Sequence, residues 1–264
     1  MGTVVQSDSK RGGSPTNRSL ERGLELLRAF RPGTDRLGNG ELAERTGLSR
    51  ATVSRLAQTL VGAGMLHRLP GRGGYRLAPA VLSLAHAMRA GSSVLQVAAP
   101  LMRTLAEDCR INVGLAAPDR DEMVYLESIR YSRRQSFRNV VSGQRVPMEL
   151  TSLGRAYLAA APAAERKRLL DVFRQRRAPH WPEVRDQIEQ SVQQVQSLGY
   201  CAAAWQPNVA AIAAPIRTPE ALYVVNISVA TGESIESLID AHAPRLLDIK
   251  EAIERGLRER DWTP

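Results

Sequence analysis

Apolar residues in the first third of the chain recur at helical spacing and then give way to short alternating runs. Leu20, Leu24, Leu27 and Phe30 share a stripe with Arg18, Glu21, Arg22, Glu25 and Arg28 between them, which predicts an amphipathic helix stopped by Pro32-Gly33. A short second helix over about 41–45 follows Asn39, its predicted N-cap. Gly47 supplies a turn, and Ser49 caps a third helix whose apolar positions Val53, Leu56, Ala57 and Leu60 run i, i+3, i+4, i+7. Residues 65–69 and 75–77 then read as two strands around a flexible tip at 70–74. Two helices joined by a Gly-containing turn and followed by a hairpin form a winged helix-turn-helix.

Farther along, helices are predicted over 98–109, 152–160, 163–176 and 184–198, the last with Val184, Ile188, Val192 and Val195 on one face. Residues 111–117 and 123–131 read as strands around Pro118-Asp119-Arg120-Asp121, and 209–216 and 222–230 as strands around Thr218-Pro219-Glu220. An amphipathic helix over 235–257 closes the chain. Strands and helices interleave without repeated βαβ units, so the predicted class is α+β in two domains.

Charge sharpens the picture of the first domain. Residues 1–90 carry 14 Lys and Arg against 6 Asp and Glu, while the remainder is nearly balanced at 22 against 21. No acidic residue lies between Glu44 and Glu107. A surface lacking counter-charge suits either solvent or a polyanion, since each phosphate neutralised releases a condensed counterion. The hairpin and the third helix favour the polyanion. Opposite its apolar stripe that helix offers Arg50, Ala51, Thr52, Ser54, Arg55 and Gln58, preceded by Ser49, and Arg72 stands at the wing tip. These eight are the candidate DNA-binding residues.

Other chemistry is sparse. Cys109 and Cys201 form no CxxC pair, and His67, His86, His180 and His242 are scattered, so neither a disulfide framework nor a metal site is expected. No GxSxG, HExxH or Gly-rich dinucleotide fingerprint occurs, and no catalytic residue or cofactor is assigned. The apolar runs 94–101 and 209–216 are too short to span a bilayer and no signal-peptide pattern opens the chain, which points to a cytoplasmic protein. The polar segment 1–16 reads as a disordered tail.

The segment Glu41-Leu42-Ala43-Glu44-Arg45-Thr46-Gly47-Leu48-Ser49-Arg50-Ala51-Thr52-Val53-Ser54-Arg55-Leu56 resembles the helix-turn-helix of the IclR family of bacterial transcription regulators. Tyr75-Arg76-Leu77 is similar to the end of that family's wing, and Thr151-Ser152-Leu153-Gly154-Arg155-Ala156-Tyr157-Leu158-Ala159 to its T-x-x-G-[KR]-A-x-L-A segment. Gly199-Tyr200 and Ile212-Ala213-Ala214-Pro215-Ile216 match later landmarks in the same order. The resemblance implies a winged helix-turn-helix over 17–78 (helix-turn-helix about 40–60, wing 65–77), a linker helix within 79–91, and a GAF-like effector-binding and oligomerisation domain over 92–264. It also implies operator DNA, a dimer or dimer of dimers, and a metabolite that alters operator binding or RNA polymerase recruitment.

The effector residues expected on this basis are Ser152, Leu153, Gly154, Trp205, Ala211, Asn226 and Ser228. A loop delivering Ser152, Leu153 and Gly154 into a helix start presents free N–H groups suited to a small carboxylate, although an ordinary capped helix would look the same. Arg155 adds positive charge there if its side chain turns inward. Asn226 and Ser228 alternate onto one face of an apolar strand, where a ligand or edge solvation would satisfy them. The family's usual acid-rich segment after Gly-Tyr/Phe is replaced here by acid-free 201–208, with Trp205 and Pro207. Three functions compete: a DNA-binding regulator modulated by a small organic or aromatic acid as effector, a DNA-binding protein whose second domain only oligomerises, and an enzyme with a nucleic-acid module. The missing catalytic motifs weigh against the third.

Overall fold

The computed structural model describes residues 17–71, 73–131, 141–206, 209–230 and 234–261, in two compact units that part between Ala85 and His86. The expectations for the 1–16 tail and for Arg72 fall outside the described residues.

The first unit opens with α1 (Arg18–Arg28), capped by Asn17, whose Oδ1 accepts the N–H groups of Ser19 and Leu20 at 3.1 Å. Its buried face differs from the predicted stripe. Leu26 is fully buried and Gly23 turns inward, whereas Leu20 and Leu24 are 61% and 50% exposed. The unit contains too few elements to cover both faces of this helix. α2 (Asn39–Thr46) starts earlier than predicted: Gly38, not Asn39, is the N-cap, and the Glu41 carboxylate reaches back 2.8 Å to the Gly38 N–H. Gly47 closes α2 with φ 68°, the left-handed turn that admits glycine freely. α3 (Arg50–Gly62) buries Val53 and Ala57 against Leu26, Phe30, Leu37 and Leu42. The wing is β1 (Leu66–Arg68) paired antiparallel with β2 (Tyr75–Leu77). Leu37 adds a third rung through two hydrogen bonds with Tyr75, at 2.9 and 2.8 Å, which no local sequence signal announced. The helix predicted for the linker is α4 (Ala80–Ala90), with no buried residue.

In the second unit a six-stranded antiparallel sheet has the order β5-β4-β3-β8-β7-β6. The strands are β3 (Asn112–Asp119), β4 (Glu122–Arg130), β5 (Arg145–Pro147), β6 (Cys201–Gln206), β7 (Val209–Arg217) and β8 (Leu222–Ala230). α5 (Ser93–Cys109) and α9 (Ile235–Asp261) pack on one face through Met102, Leu246 and Ile253 against Val113, Ile212 and Ile227. α6 (Ser152–Ala160), α7 (Ala163–Arg176) and α8 (Trp181–Leu198) cover the other through Leu153, Phe173 and Ile188 against Ala213 and Val224. α5 begins at Ser93, five residues before the predicted start, because Ser92 caps it and Pro100 is accommodated inside. β5 and β6 carry too little apolar alternation to be predicted. They exist because β4 and β7 offer them edges.

Candidate functional site

The start of α3 is set by Ser49, whose Oγ accepts the Thr52 N–H at 3.3 Å and lies 2.9 Å from the Thr52 hydroxyl. The two hydroxyls therefore satisfy each other and leave the arginines and the glutamine to face outward. Ala51, Arg55 and Gln58, at i, i+4 and i+7, line the exposed side directly opposite Val53 and Ala57, with Arg50 exposed and Ser54 half-buried beside them. Ala51 adds no bulk to this ridge, so the helix backbone can approach a groove closely. The wing strands add His67 and Arg76 as a cross-strand pair, both exposed. The first unit thus exposes Arg50, Ala51, Arg55 and Gln58 on one side of α3, with Ser54 and Thr52 half-buried beside them, while Arg72 lies outside the described residues.

In the second unit, antiparallel register places two rows of side chains on the sheet face toward α6. One runs Cys201, Ala213, Asn226, Gly114 across β6, β7, β8 and β3, and the next runs Ala203, Ala211, Ser228, Asn112. Six of these eight side chains are no larger than serine or cysteine, so the face is shallow. Asn226 is 2% exposed and its Oδ1 has no hydrogen-bond partner among the described residues; the Asn112 Oδ1 is likewise buried and unpartnered among them. A buried acceptor without a donor is costly, on the order of 1–3 kcal/mol. Tyr125 of β4 leans over the same patch, its hydroxyl hydrogen-bonded with the Asn226 side chain. Burial pushes that phenol up to about 12, against the opposing pull of Asn226. A Cβ on Gly114 would sit 2.4 Å from Asn226 Oδ1 and 2.5 Å from the Tyr125 ring, so only glycine lets both side chains meet there.

The α6 start lies at the far end of the Asn226 row, where the Cys201 thiol donates to the Ser152 carbonyl at 3.5 Å. Thr151 caps this helix: its Oγ1 accepts the Gly154 N–H at 3.2 Å and donates to the Pro147 carbonyl at 2.8 Å. Gly154 packs so tightly on the Met148 backbone that a Cβ would come within 2.1 Å. Of the three predicted anion donors, the Gly154 N–H is therefore spent on the cap, while those of Ser152 and Leu153 are not used by it. Arg155 turns away from the site. Its Nε donates to the Glu149 carbonyl at 3.2 Å and its Nη2 to Gln187 Oε1 at 2.5 Å, so its donors are spent outside the patch and its charge is felt there through Cys201. Trp205 is half-buried on the α6 side of the sheet, against the core beneath α6 and α8. The Cys201 thiol is pushed up to about 12 by burial, with Arg155 and Ser191 opposing, and is no nucleophile.

Structure thus brings Ser152, Leu153, Ala211, Asn226 and Ser228 onto one face and adds Asn112, Gly114 and Tyr125, which sequence reasoning missed. Asn112, a polar residue second in the predicted strand 111–117, was the available hint. Among the described residues no group of three or more His, Cys, Asp or Glu could hold a metal ion, and no helix is long and apolar enough to cross a membrane.

Comparison with known proteins bears on both units. The family model for the IclR helix-turn-helix domain matches residues 19–70, and that for the bacterial transcriptional regulator IclR C-terminal region matches residues 86–255. The chain is similar to the HTH-type transcriptional regulator TsaQ1/TsaQ2 of Comamonas testosteroni, 34% identical over 183 residues. That match spans 69% of this chain and 66%, just under two thirds, of that protein. An IclR family transcriptional regulator from Brucella abortus superposes at TM-score 0.82 and 32% identity, covering 97% of this chain and 96% of that one. An IclR homolog from Microbacterium hydrocarbonoxydans, complexed with 4-hydroxybenzoate, shares the fold at TM-score 0.68 and 22% identity, over 91% and 99% of the two chains.

Proposed function

The chain belongs to the IclR family of bacterial transcriptional regulators, and from that premise we propose that a small organic acid, held on the α6 face of the sheet, governs its grip on operator DNA. The unpartnered Oδ1 of Asn226, 2% exposed among small side chains, is the observation that carries this reading. A side chain buried at such cost invites a donor from outside the protein. The uncommitted N–H groups of Ser152 and Leu153 suit the carboxylate, at the positive end of α6. Between the two sites lie Cys201 and Ala213, and two strand spacings separate Cys201 from Asn226, about 10 Å, a span suited to a compact ring or short chain.

Operator contact is assigned to Arg50, Ala51, Ser54, Arg55 and Gln58 on α3, with Ser49 and Thr52 shaping its start and Arg72 on the wing. The working unit is a dimer or dimer of dimers, because one short recognition helix reads too few bases for a unique address.

Calorimetry with 4-hydroxybenzoate, benzoate, a short aliphatic acid and 4-hydroxybenzamide tests the effector site. The acids are expected to bind and the amide to fail, because only the acid offers a full charge to the α6 start. Equal binding of the amide, or acid binding that survives Ser152→Pro, would overturn the anion site. Failure of every acid in the panel would favour a second unit that serves only oligomerisation.

A further inference from the structure

The last turn of α4 is fastened to the sheet at an irregular point. Along β4, Leu115 faces Glu127 and Ala116 faces Tyr125, so Leu126 is an extra residue with no partner of its own on β3. This is a β-bulge, and it reverses the alternation of the strand. Met123 and Tyr125 point to the α6 face before it, whereas Ile129 packs toward α5 and α9 after it.

Arg89 of α4 meets the bulge. Its Nη1 donates to the carbonyl of the extra residue, Leu126, and its Nη2 meets Glu127 Oε2 at 2.6 Å. Glu127 Oε1 accepts from the Ser128 N–H at 3.0 Å and from the Ser142 hydroxyl at 3.2 Å. Burial alone would raise the Glu127 carboxyl, but the bonds from Arg89, Ser128 and Ser142 and the Arg89 charge outweigh it and hold it below the ordinary carboxylate range. The clasp is therefore charged and made at neutral pH.

One residue before the bulge stands Tyr125, the ring over the effector patch. Its main chain is pinned on the outer side, with its N–H on the Gln144 carbonyl at 2.9 Å and its carbonyl on the Gly143 N–H at 2.7 Å. Its ring and the Asn226 amide oxygen both stand over Gly114, where a Cβ would meet them at 2.5 and 2.4 Å. Leu126, next along the strand, is the one residue of this stretch outside the ladder with β3.

We propose that Arg89 is a positioning residue that reads the effector patch: the Leu126 bulge couples the Tyr125–Asn226 contact to the end of α4, the helix that continues from the wing. A fork is needed for this, since one guanidinium holds a main-chain carbonyl and a carboxylate together. A simple ion pair would tether α4 to Glu127 without sensing the bulge. The physiological sense of the coupling rests on the effector reading above, but the coupling itself is a property of the ligand-free chain. It is an energetic link between two places joined by contiguous contacts, of the kind a double-mutant cycle measures directly.

Amide hydrogen exchange on the full-length protein without ligand provides the test. Tyr125→Phe is expected to speed exchange of the α4 amides from His86 to Ala90 at least fivefold, with α8 amides unchanged as the internal control. In an Arg89→Ala background the same substitution is expected to add nothing at those amides. Arg89→Lys, which keeps the charge facing Glu127, is expected to uncouple like alanine. Equal effects of Tyr125→Phe in the wild-type and Arg89→Ala backgrounds would overturn the proposal, as would full coupling with lysine. Should Tyr125→Phe loosen α8 as well, Asn226→Ser replaces it, read at the same amides with the same criteria. Because no ligand is used, this outcome is independent of the calorimetric one.

Discussion

Residue-scale chemistry separates the side chains of α3 into two kinds of work. Ser49 and Thr52 spend their hydroxyls on each other at 2.9 Å and build the helix start, while Arg55 and Gln58 stand exposed opposite the buried Val53 and Ala57. Arg55→Ala is therefore expected to cost about 1–3 kcal/mol in specific binding and to loosen discrimination at one base position. Competition titrations at several salt concentrations check this: unchanged specificity with a shallower salt slope would make Arg55 a phosphate contact. The same economy governs α6. Gly154 is required by the Met148 backbone, a requirement the sequence marks only as a glycine. Its N–H belongs to Thr151, so of the three donors expected for a carboxylate only those of Ser152 and Leu153 are left for the proposed anion site.

At the scale of elements, α1 and α4 expose large apolar side chains among the described residues. The α1 side chains Leu20 and Leu24 are exposed, and α4 carries Leu82 at 73%, Leu84 at 58% and Met88 at 53% with no residue buried. An open apolar groove of about 570 Å³ runs beside Leu77, Val81, Leu82 and Ala85, with His67 and Arg76 at its rim. Exposed leucines on this scale suit an association surface, and a second copy of the chain is the occupant that the proposed dimer would supply. Leu82→Glu is expected to shift the protein toward monomer in sedimentation velocity and to weaken operator binding, without lowering the thermal midpoint of isolated subunits. An unchanged dimer would place the interface elsewhere.

For the whole molecule, charge and fold divide the labour: the basic excess sits almost entirely in residues 1–90, and the nearly neutral remainder forms the layered sheet unit. Footprinting is expected to protect two related half-sites about one helical turn apart or a multiple of that, with protection lost together at both when the dimer is broken. A single half-site held by monomer would contradict this.

The sequence by itself determined whatever depends on near neighbours along the chain. Periodicity located α3, α6, α7 and β8, the glycine at 47 located the turn, and the absence of acids between Glu44 and Glu107 marked the DNA-facing unit. Tertiary structure decided what depends on residues that meet across strands. It chose Leu26 over Leu20 for the buried side of α1, formed β5 and β6 on existing edges, and turned Arg155 away from the site. It also brought Asn112, Tyr125 and Asn226 together, and set Arg89 on the Leu126 bulge. The physical reason is that helical and strand periods are written in local spacing, whereas register, bulges and the satisfaction of buried polar groups are settled only when distant segments pair.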